Sequence, residues 1–310
     1  MLHEVSFASY NGRDQVQGWI YVPACKPKGI VQVIHGFGEH SRRYLHMISA
    51  FMDAGYIVAA DDHVGHGKTA MVNNVWGDWG DKGPHTMMED EHTLKGIVCE
   101  KYPDLPYFLF GHSMGSFIAR NYLCRYGSGI GGAVIVGTGM QSAGLIFASK
   151  AMAGIQKLFC GSKHVSHFID KAAFGGYNKR IDSPRTSSDW LSRNTENVDR
   201  YIEDELCGFT FTVNGFQTLF ELIRRLQKQE NLEKVPQNLP ILMVSGAEDP
   251  VGDYGKGVHK ACDSLKRAGV KNITVKLYEN DRHELLNEDD AEVAMEDIWQ
   301  WICKEIPGIA

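Results

Sequence analysis

The sequence predicts an α/β fold: a mostly parallel central sheet flanked by helices, with an inserted helical cap. Short apolar runs alternate with helix-compatible segments along most of the chain, as in sheets whose connecting helices cover both faces. This rhythm stops between about residues 137 and 235 and then resumes. One apolar run ends in Gly-His-Ser-Met-Gly at residues 111–115, which is typical of a sharp turn between a strand and a helix.

The first hundred residues are expected to form the sheet edge and two buried strands. Asn11-Gly12 lies between two alternating segments and predicts an antiparallel hairpin. The predicted strands cover residues 3–10, 15–22, 29–34 and 56–60. Helices are predicted over residues 41–54, closed by Gly55, and over residues 86–101, with a loop rich in Gly, Asn, Asp and Trp over residues 68–85.

The remaining elements surround the interruption. The predicted strands are residues 107–110, 133–136, 239–244 and 273–278, and the predicted helices are residues 116–126, 145–159, 216–229, 256–267 and a C-terminal helix. We therefore expect a core of residues 1–137 and 236–310, and a helical cap (lid) of residues 138–235 that covers the C-terminal edge of the sheet. Open α/β sheets bind their ligands at that edge.

Composition excludes several classes of protein. The chain has 310 residues and a net charge of -6, which suits one large domain with an insertion and argues against a nucleic-acid partner. The N-terminus lacks the pattern of a signal peptide, and no apolar run approaches the ~18 residues of a membrane span. Seven scattered cysteines favour a reducing, cytoplasmic location.

Ser113 is the predicted nucleophile. The strand, turn and helix around residues 111–115 fit a nucleophile elbow, in which a strained turn lifts the serine hydroxyl clear of the backbone. The strand and helix nearly touch there, so side chains at Gly111 and Gly115 would collide.

A serine needs a base, and the base needs a carboxylate to fix its tautomer. The expected chain order is Ser, then an acid, then His, each after a strand. His283 follows the last predicted strand and is the predicted base. Asp249, held before Pro250, is the predicted acid; its neighbour Glu248 should point away, and Asp281 is too close to His283 in sequence to grip the ring.

The tetrahedral oxyanion needs two N–H donors, and we expect them from the backbones of Phe37 and Met114. Flanking glycines at residues 36 and 38 let this loop approach a substrate, although a plain glycine turn explains the same residues. His35, His63 and His66 are expected to brace the loop. Their spacing fits no common set of metal ligands, so the sequence predicts no metal and no cofactor.

These residues resemble a known family. The chain is similar to the monoacylglycerol lipase and lysophospholipase group of α/β-hydrolases, which is classed with the S33 serine aminopeptidases (Hydrolase_4). The matching stretches are residues 35–41 with Arg43 and Tyr44, residues 62–67, 105–115 and 191–194, and His283. The resemblance implies an α/β-hydrolase core with a cap, hydrolysis of a single acyl ester, a tunnel for the acyl chain and a polar pocket for the alcohol.

By motif position, Glu39 and Arg43 match family residues that help to form the polar pocket. A purely structural salt bridge explains this pair equally well, because the spacing is i, i+4. Two positions depart from the pattern: Ser116 replaces a third glycine, and Leu286 replaces a second histidine that contacts glycerol in the mammalian enzyme. Glycerol selectivity is therefore not implied.

The resulting hypothesis is a serine carboxylester hydrolase that acts on monoacylglycerol- or lysophospholipid-like small molecules through an acyl-enzyme. A small-ester esterase or peptidase using the same triad, and a non-catalytic binding module, are the alternatives. The apolar residues of the cap helix over residues 145–159 favour an acyl chain over a peptide, although packing of the cap on the core explains them too. The hypothesis includes transient membrane or lipid contact through the cap.

Overall fold

The computed structural model describes residues 1–305, in which eight strands form one sheet with helices around it. The strands are Leu2–Ala8 (β1), Gln15–Tyr21 (β2), Gly29–Ile34 (β3), Tyr56–Asp62 (β4), Tyr107–His112 (β5), Gly132–Val136 (β6), Ile241–Gly246 (β7) and Ile273–Tyr278 (β8). The α-helices are Leu45–Asp53 (α1), Gly67–Asn73 (α2), Pro84–Lys101 (α3), Met114–Tyr126 (α4), Ala143–Cys160 (α5), His167–Phe174 (α6), Thr195–Glu203 (α7), Val213–Leu226 (α8), Gln229–Leu232 (α9), Lys256–Arg267 (α10) and Ala291–Glu305 (α11).

The sheet has the strand order β1-β2-β4-β3-β5-β6-β7-β8. The β1–β2 and β2–β4 pairs are antiparallel, and every later pair is parallel. All residues of β3, β4 and β5 are buried, because helices cover both faces of a parallel sheet. The predicted fold class, including the hairpin at the sheet edge, is confirmed.

One local prediction was wrong. Residues 67–73, expected to be mostly loop, form α2. The carboxylate of Asp62, at the end of β4, accepts the Lys68 N–H at 2.7 Å, and the Thr69 hydroxyl donates to the Asp62 carbonyl at 2.6 Å. The first contact satisfies a free N–H of the first helical turn, and the second ties the helix to β4. Tertiary structure thus stabilises a helix whose Gly, Thr and Asn content gives it little intrinsic propensity.

Between β6 and β7 lie α5 to α9 and, within the described residues, no strand of the sheet. We call residues 137–240 the insert. It shares one hydrophobic cluster with the sheet and its helices, since Ile146 and Phe216 of the insert belong to the same cluster as Ile118 and Tyr122 of α4. The boundaries of the predicted core and cap stay a prediction, and residues 306–310 of that core lie outside the described residues. No helix within residues 1–305 combines the length and apolar character needed to cross a membrane.

Candidate active site

Ser113 lies in a strained turn between β5 and α4. Its backbone has φ 54° and ψ -120°, a conformation that L-residues other than glycine rarely adopt. A Cβ added to Gly115 would lie 1.9 Å from the Ile34 carbonyl oxygen, and one added to Gly111 would lie 2.5 Å from the Gly115 carbonyl oxygen. The predicted crowding is confirmed, and it explains why glycine occupies both positions.

His283 and Asp249 meet at the C-terminal edge of the sheet, in the loops that follow β8 and β7. The ring Nδ1 of His283 lies 3.0 Å from Asp249 Oδ2, and both side chains are buried. The same carboxylate accepts the Val251 N–H at 2.8 Å and the Ser245 hydroxyl at 3.2 Å. A carboxylate at Nδ1 favours the tautomer in which Nδ1 carries the proton, so Nε2 is left as the basic nitrogen.

The other two acids near His283 in sequence have different partners. The partly exposed Glu248 carboxylate pairs with Arg193 at 2.6 Å. It therefore points away from the His283 ring, as predicted. Asp281 is buried beside other carboxylates. Burial, with the charges of Asp290 and Glu288, raises the pKa of Asp281 to about 7. Among these three acids, the structure brings only Asp249 to the His283 ring.

The loop after β3 lies against the elbow. A Cβ added to Gly36 would lie 3.1 Å from Ser113 Cβ, so the loop backbone is next to the serine. Among residues 1–305, neither the Phe37 N–H nor the Met114 N–H donates a hydrogen bond to a protein acceptor. Two free N–H groups beside a serine form an arrangement that can hold a developing oxyanion.

Three histidines pack behind this loop. The His63 ring stacks on His35 with centroids 3.9 Å apart, and the His66 ring is 5.1 Å from His35. The His63 N–H donates to His35 Nε2 at 3.0 Å. Burial lowers the pKa of His66 to about 3, which keeps its ring neutral. These contacts place the three rings where they can brace the loop.

A cavity of about 360 Å³ joins these groups. Ser113, His283, Phe37, Met114 and Glu39 all line it. The insert contributes mostly apolar wall residues, among them Phe174, Trp190, Leu191, Phe209, Leu219 and Ile223. This volume is near the lower end of the range for small-molecule sites.

The helix over residues 145–159, now α5, fits neither of the two interpretations of its apolar residues well. None of its apolar residues is among those that line the cavity, and within it only Ile146 and Ala153 are buried in the core. Phe147, Leu158 and Phe159 are 76%, 84% and 85% exposed. A helical stripe shows which residues share a face, but it does not show what covers that face.

Glu39 and Arg43 belong to a buried network beside the cavity. The Glu39 carboxylate accepts the Gly36 N–H at 2.7 Å, the Tyr44 hydroxyl at 2.7 Å and Arg43 Nη1 at 2.9 Å. Glu39 reaches the cavity wall, whereas Arg43 lies behind it and is not a lining residue. The structural salt bridge is therefore present, and substrate binding by the pair stays a prediction.

Sequence reasoning missed Glu284, whose only signal was its place next to His283. This buried carboxylate lines the cavity. It accepts Arg43 Nη1 at 2.5 Å, Arg43 Nη2 at 2.8 Å and the Asn197 amide at 2.6 Å. Burial favours its neutral form, but Arg43 outweighs this effect and lowers the pKa of Glu284.

His112, inside the elbow, connects this network to His283. Its Nδ1 lies 2.7 Å from the Tyr44 hydroxyl and 3.3 Å from Glu39 Oε1, and its Nε2 lies 3.1 Å from the His283 carbonyl oxygen. Burial disfavours its charged form, yet the hydrogen bond and charge of Glu39 raise the pKa of His112. The network therefore contacts the His283 backbone, whereas Asp249 holds its ring.

Replacing Arg43 with glutamine should lower the free energy of unfolding by about 3–5 kcal/mol at neutral pH, because Glu39 and Glu284 lose their shared buried cation. Carboxyl groups whose pKa is lowered in the folded state contribute stability above their unfolded pKa and lose it as the pH falls through the folded pKa. The difference between parent and variant should therefore shrink in acid. Burial favours the neutral forms of Glu39 and Glu284, yet Arg43 helps to lower the pKa of both below the ordinary value. Urea unfolding at pH 7 and at about pH 3, below the ordinary glutamate pKa of about 4.3, therefore measures both effects.

Arg200→Gln is the matched control. Arg200 pairs with Glu196 at 3.4 Å on an exposed face of α7, and exposed pairs of this kind contribute little. Equal losses in the two arginine variants would show that burial of the Arg43 network does not matter.

The serine aminopeptidase S33 family matches residues 25–290 of this chain. Monoacylglycerol lipase of Mycolicibacterium smegmatis is 28% identical over 304 residues, covering 98% of each chain. Human monoglyceride lipase is 28% identical over 86% of this chain and 78% of its own length. A thermostable carboxyl esterase from Bacillus coagulans, solved in complex with glycerol, is 43% identical with a TM-score of 0.93, over 98% of this chain and 99% of the other. A lipase solved in an open form is 35% identical with a TM-score of 0.90, over 99% of this chain and 100% of the other.

Proposed function

Because the chain belongs to the serine aminopeptidase S33 family of α/β-hydrolases, we propose that this carboxylic ester hydrolase cleaves single-chain acyl esters of the monoacylglycerol or lysophospholipid kind. The observation that carries the proposal is the meeting of three features in one cavity. They are a serine in a strained turn, a histidine held by a buried carboxylate, and two free backbone N–H groups.

In the proposed reaction, His283 Nε2 takes the Ser113 proton as Ser113 Oγ attacks the ester carbonyl carbon. The tautomer that Asp249 favours at Nδ1 supports this role. The Phe37 and Met114 N–H groups hold the tetrahedral oxyanion. His283 then protonates the leaving alcohol, and an acyl-enzyme remains on Ser113. Water, activated by the same histidine, attacks the acyl carbonyl and releases the fatty acid and free serine.

The walls of the cavity support an ester with one apolar and one polar end. Phe174, Leu219 and Ile223 offer apolar surface, while Glu39 and Glu284 lie on the wall beside His283 and His112. An acyl chain fits the first group, and the hydroxyls of a leaving alcohol can donate to the second. Glycerol, which was found with the B. coagulans esterase, is an alcohol with hydroxyls of this kind.

Transient contact with lipid is supported by exposed apolar residues on α5 and α6, of which Phe159 is 85% and Phe168 65% exposed. Large exposed apolar groups commonly mark interaction surfaces.

A cytoplasmic location is supported by the cysteines, since all seven are free thiols.

A hydrolysis panel tests the substrate class. Monoacylglycerols, lysophospholipids and short aryl esters of rising acyl length should give a kcat/KM that rises with chain length until the cavity is filled. Leu219→Phe narrows the apolar wall and should lower kcat/KM for long chains by about tenfold while leaving the shortest esters nearly unaffected. Leu145→Phe, on a 55% exposed residue outside the cavity, is the matched control. Equal losses at all chain lengths in Leu219→Phe, or cleavage of peptides in preference to esters, would contradict the proposal.

A further inference from the structure

Away from the cavity, three buried groups with lone pairs converge between β4 and α3. Asp61 is the penultimate residue of β4, His63 follows that strand, and Glu91 lies on α3. Asp61 and Glu91 have no exposed surface, and His63 has 3%. His63 Nδ1 is 3.2 Å from Glu91 Oε1 and 3.8 Å from Asp61 Oδ2. One ligand atom from each residue lies within 4.8 Å of the others.

The protein supplies few donors to this cluster. Within residues 1–305, neither Asp61 Oδ1, Asp61 Oδ2 nor Glu91 Oε1 has a hydrogen-bond partner. Gln32 Nε2 donates to the other carboxylate oxygen of Glu91, Oε2, and to the Glu91 backbone carbonyl. Buried carboxylate oxygens without donors or a cation are costly and therefore rare in folded proteins.

The His63 ring adds a third lone pair. Its Nε2 lies 3.2 Å from the His35 carbonyl oxygen. A carbonyl only accepts, so Nε2 carries the hydrogen, and in a neutral ring Nδ1 then presents its lone pair to the two carboxylates. With the ring neutral, two acidic side chains and an imidazole lone pair thus face one another.

We propose that Asp61, His63 and Glu91 bind a divalent transition-metal cation. One imidazole nitrogen and two carboxylates suit Zn²⁺ or Co²⁺ better than Ca²⁺, which prefers oxygen ligands alone. Distances from Zn²⁺ to its nitrogen and oxygen ligands are near 2.0–2.2 Å. The three side chains must therefore rotate slightly toward a bound ion. The proposal revises the expectation of no metal, which rested on histidine spacing; Glu91 comes from another element, 28 residues after His63.

The ion joins β4 to α3 behind the loop of residues 35–38. His63 stacks on His35, and His35 directly precedes Gly36 and Phe37. The ion therefore holds the packing that supports this loop, and its role is structural. Neither the site nor its test depends on the proposed substrate.

The test starts with the whole protein after treatment with a chelator. Metal analysis after incubation with Zn²⁺ and dialysis should find one equivalent in the parent, and saturating Zn²⁺ should raise Tm by about 5 °C. Glu91→Gln, which keeps the side-chain shape, should lose both effects. His40→Asn is the control, because His40, Asp204 and Cys207 form the other group of potential ligands found in the described part of the chain.

Co²⁺ in the parent protein gives a readout that needs no variant. Binding at Asp61, His63 and Glu91 should produce d–d bands without a thiolate charge-transfer band, since no cysteine belongs to this cluster. Absence of bound metal, or one equivalent that survives in Glu91→Gln and disappears in His40→Asn, overturns the proposal. So does a thiolate band in a one-equivalent Co²⁺ complex, which would place the ion at a cysteine. If Glu91→Gln does not fold, the spectrum of the parent still decides.

Discussion

Ser113→Ala should lower kcat for ester hydrolysis by about 10⁶-fold, the loss typical of removing a serine nucleophile. The reason is that the acyl-enzyme cannot form, although the oxyanion donors and the cavity remain. KM for esters should change little, because Ser113 supplies the nucleophile and contributes little to the binding of the ester. Initial rates with the best ester of the panel, together with labelling by a fluorophosphonate probe, measure the loss.

Ser116→Ala is the matched control for this experiment. Ser116 lies three residues further along the same elbow, and its hydroxyl donates to the Ser113 carbonyl at 2.5 Å. Its removal costs one hydrogen bond at the turn, so activity should fall by about tenfold at most. Esterase activity like that of the parent in Ser113→Ala would falsify the assignment of the nucleophile. A parent protein that never reacts with the probe would instead favour a binding module.

Asp249→Asn should lower kcat by about 10⁴-fold, as expected when the base is held in the wrong tautomer. The asparagine amide can donate to His283 Nδ1, so the ring proton moves to Nε2 and the lone pair needed at Ser113 is lost. Steady-state kinetics with a short ester, and Tm to confirm folding, measure this effect.

Two neighbouring acids provide the comparison. Glu248→Gln changes a partly exposed residue that pairs with Arg193, and Asp281→Asn changes the buried acid two residues before His283. Both should keep activity within about tenfold of the parent, because neither contacts the His283 ring. The assignment fails if Asp281→Asn is inactive while Asp249→Asn turns over normally.

The order of strands in the sequence was sufficient to predict the proposed triad. Parallel strands end at the same edge of a sheet, so residues that directly follow different strands come together there. Ser113 follows β5, Asp249 follows β7 and His283 follows β8. The elbow glycines could also be predicted, because the crowding at Gly111 and Gly115 is a local property of the backbone.

Contacts between residues far apart in the chain could not be predicted from the sequence in the same way. Arg43 and Glu284 are 241 residues apart, and neither has a sequence pattern that identifies the other as its partner. The apolar stripe of α5 was predicted as a stripe, yet its exposure depends on whether another element packs against it. The helix at residues 67–73 likewise depends on Asp62.

By itself, the sequence determined the fold class, the strained serine and the order of the three residues proposed for catalysis, because these follow from local periodicity and strand succession. Only the tertiary structure decided which residues line the cavity, how Glu284 and Arg43 support the His283 loop, and that Asp61, His63 and Glu91 converge. The physical reason is that the burial and the hydrogen bonds of a residue depend on its neighbours in the folded chain. Local sequence patterns do not identify those neighbours when they are distant in sequence.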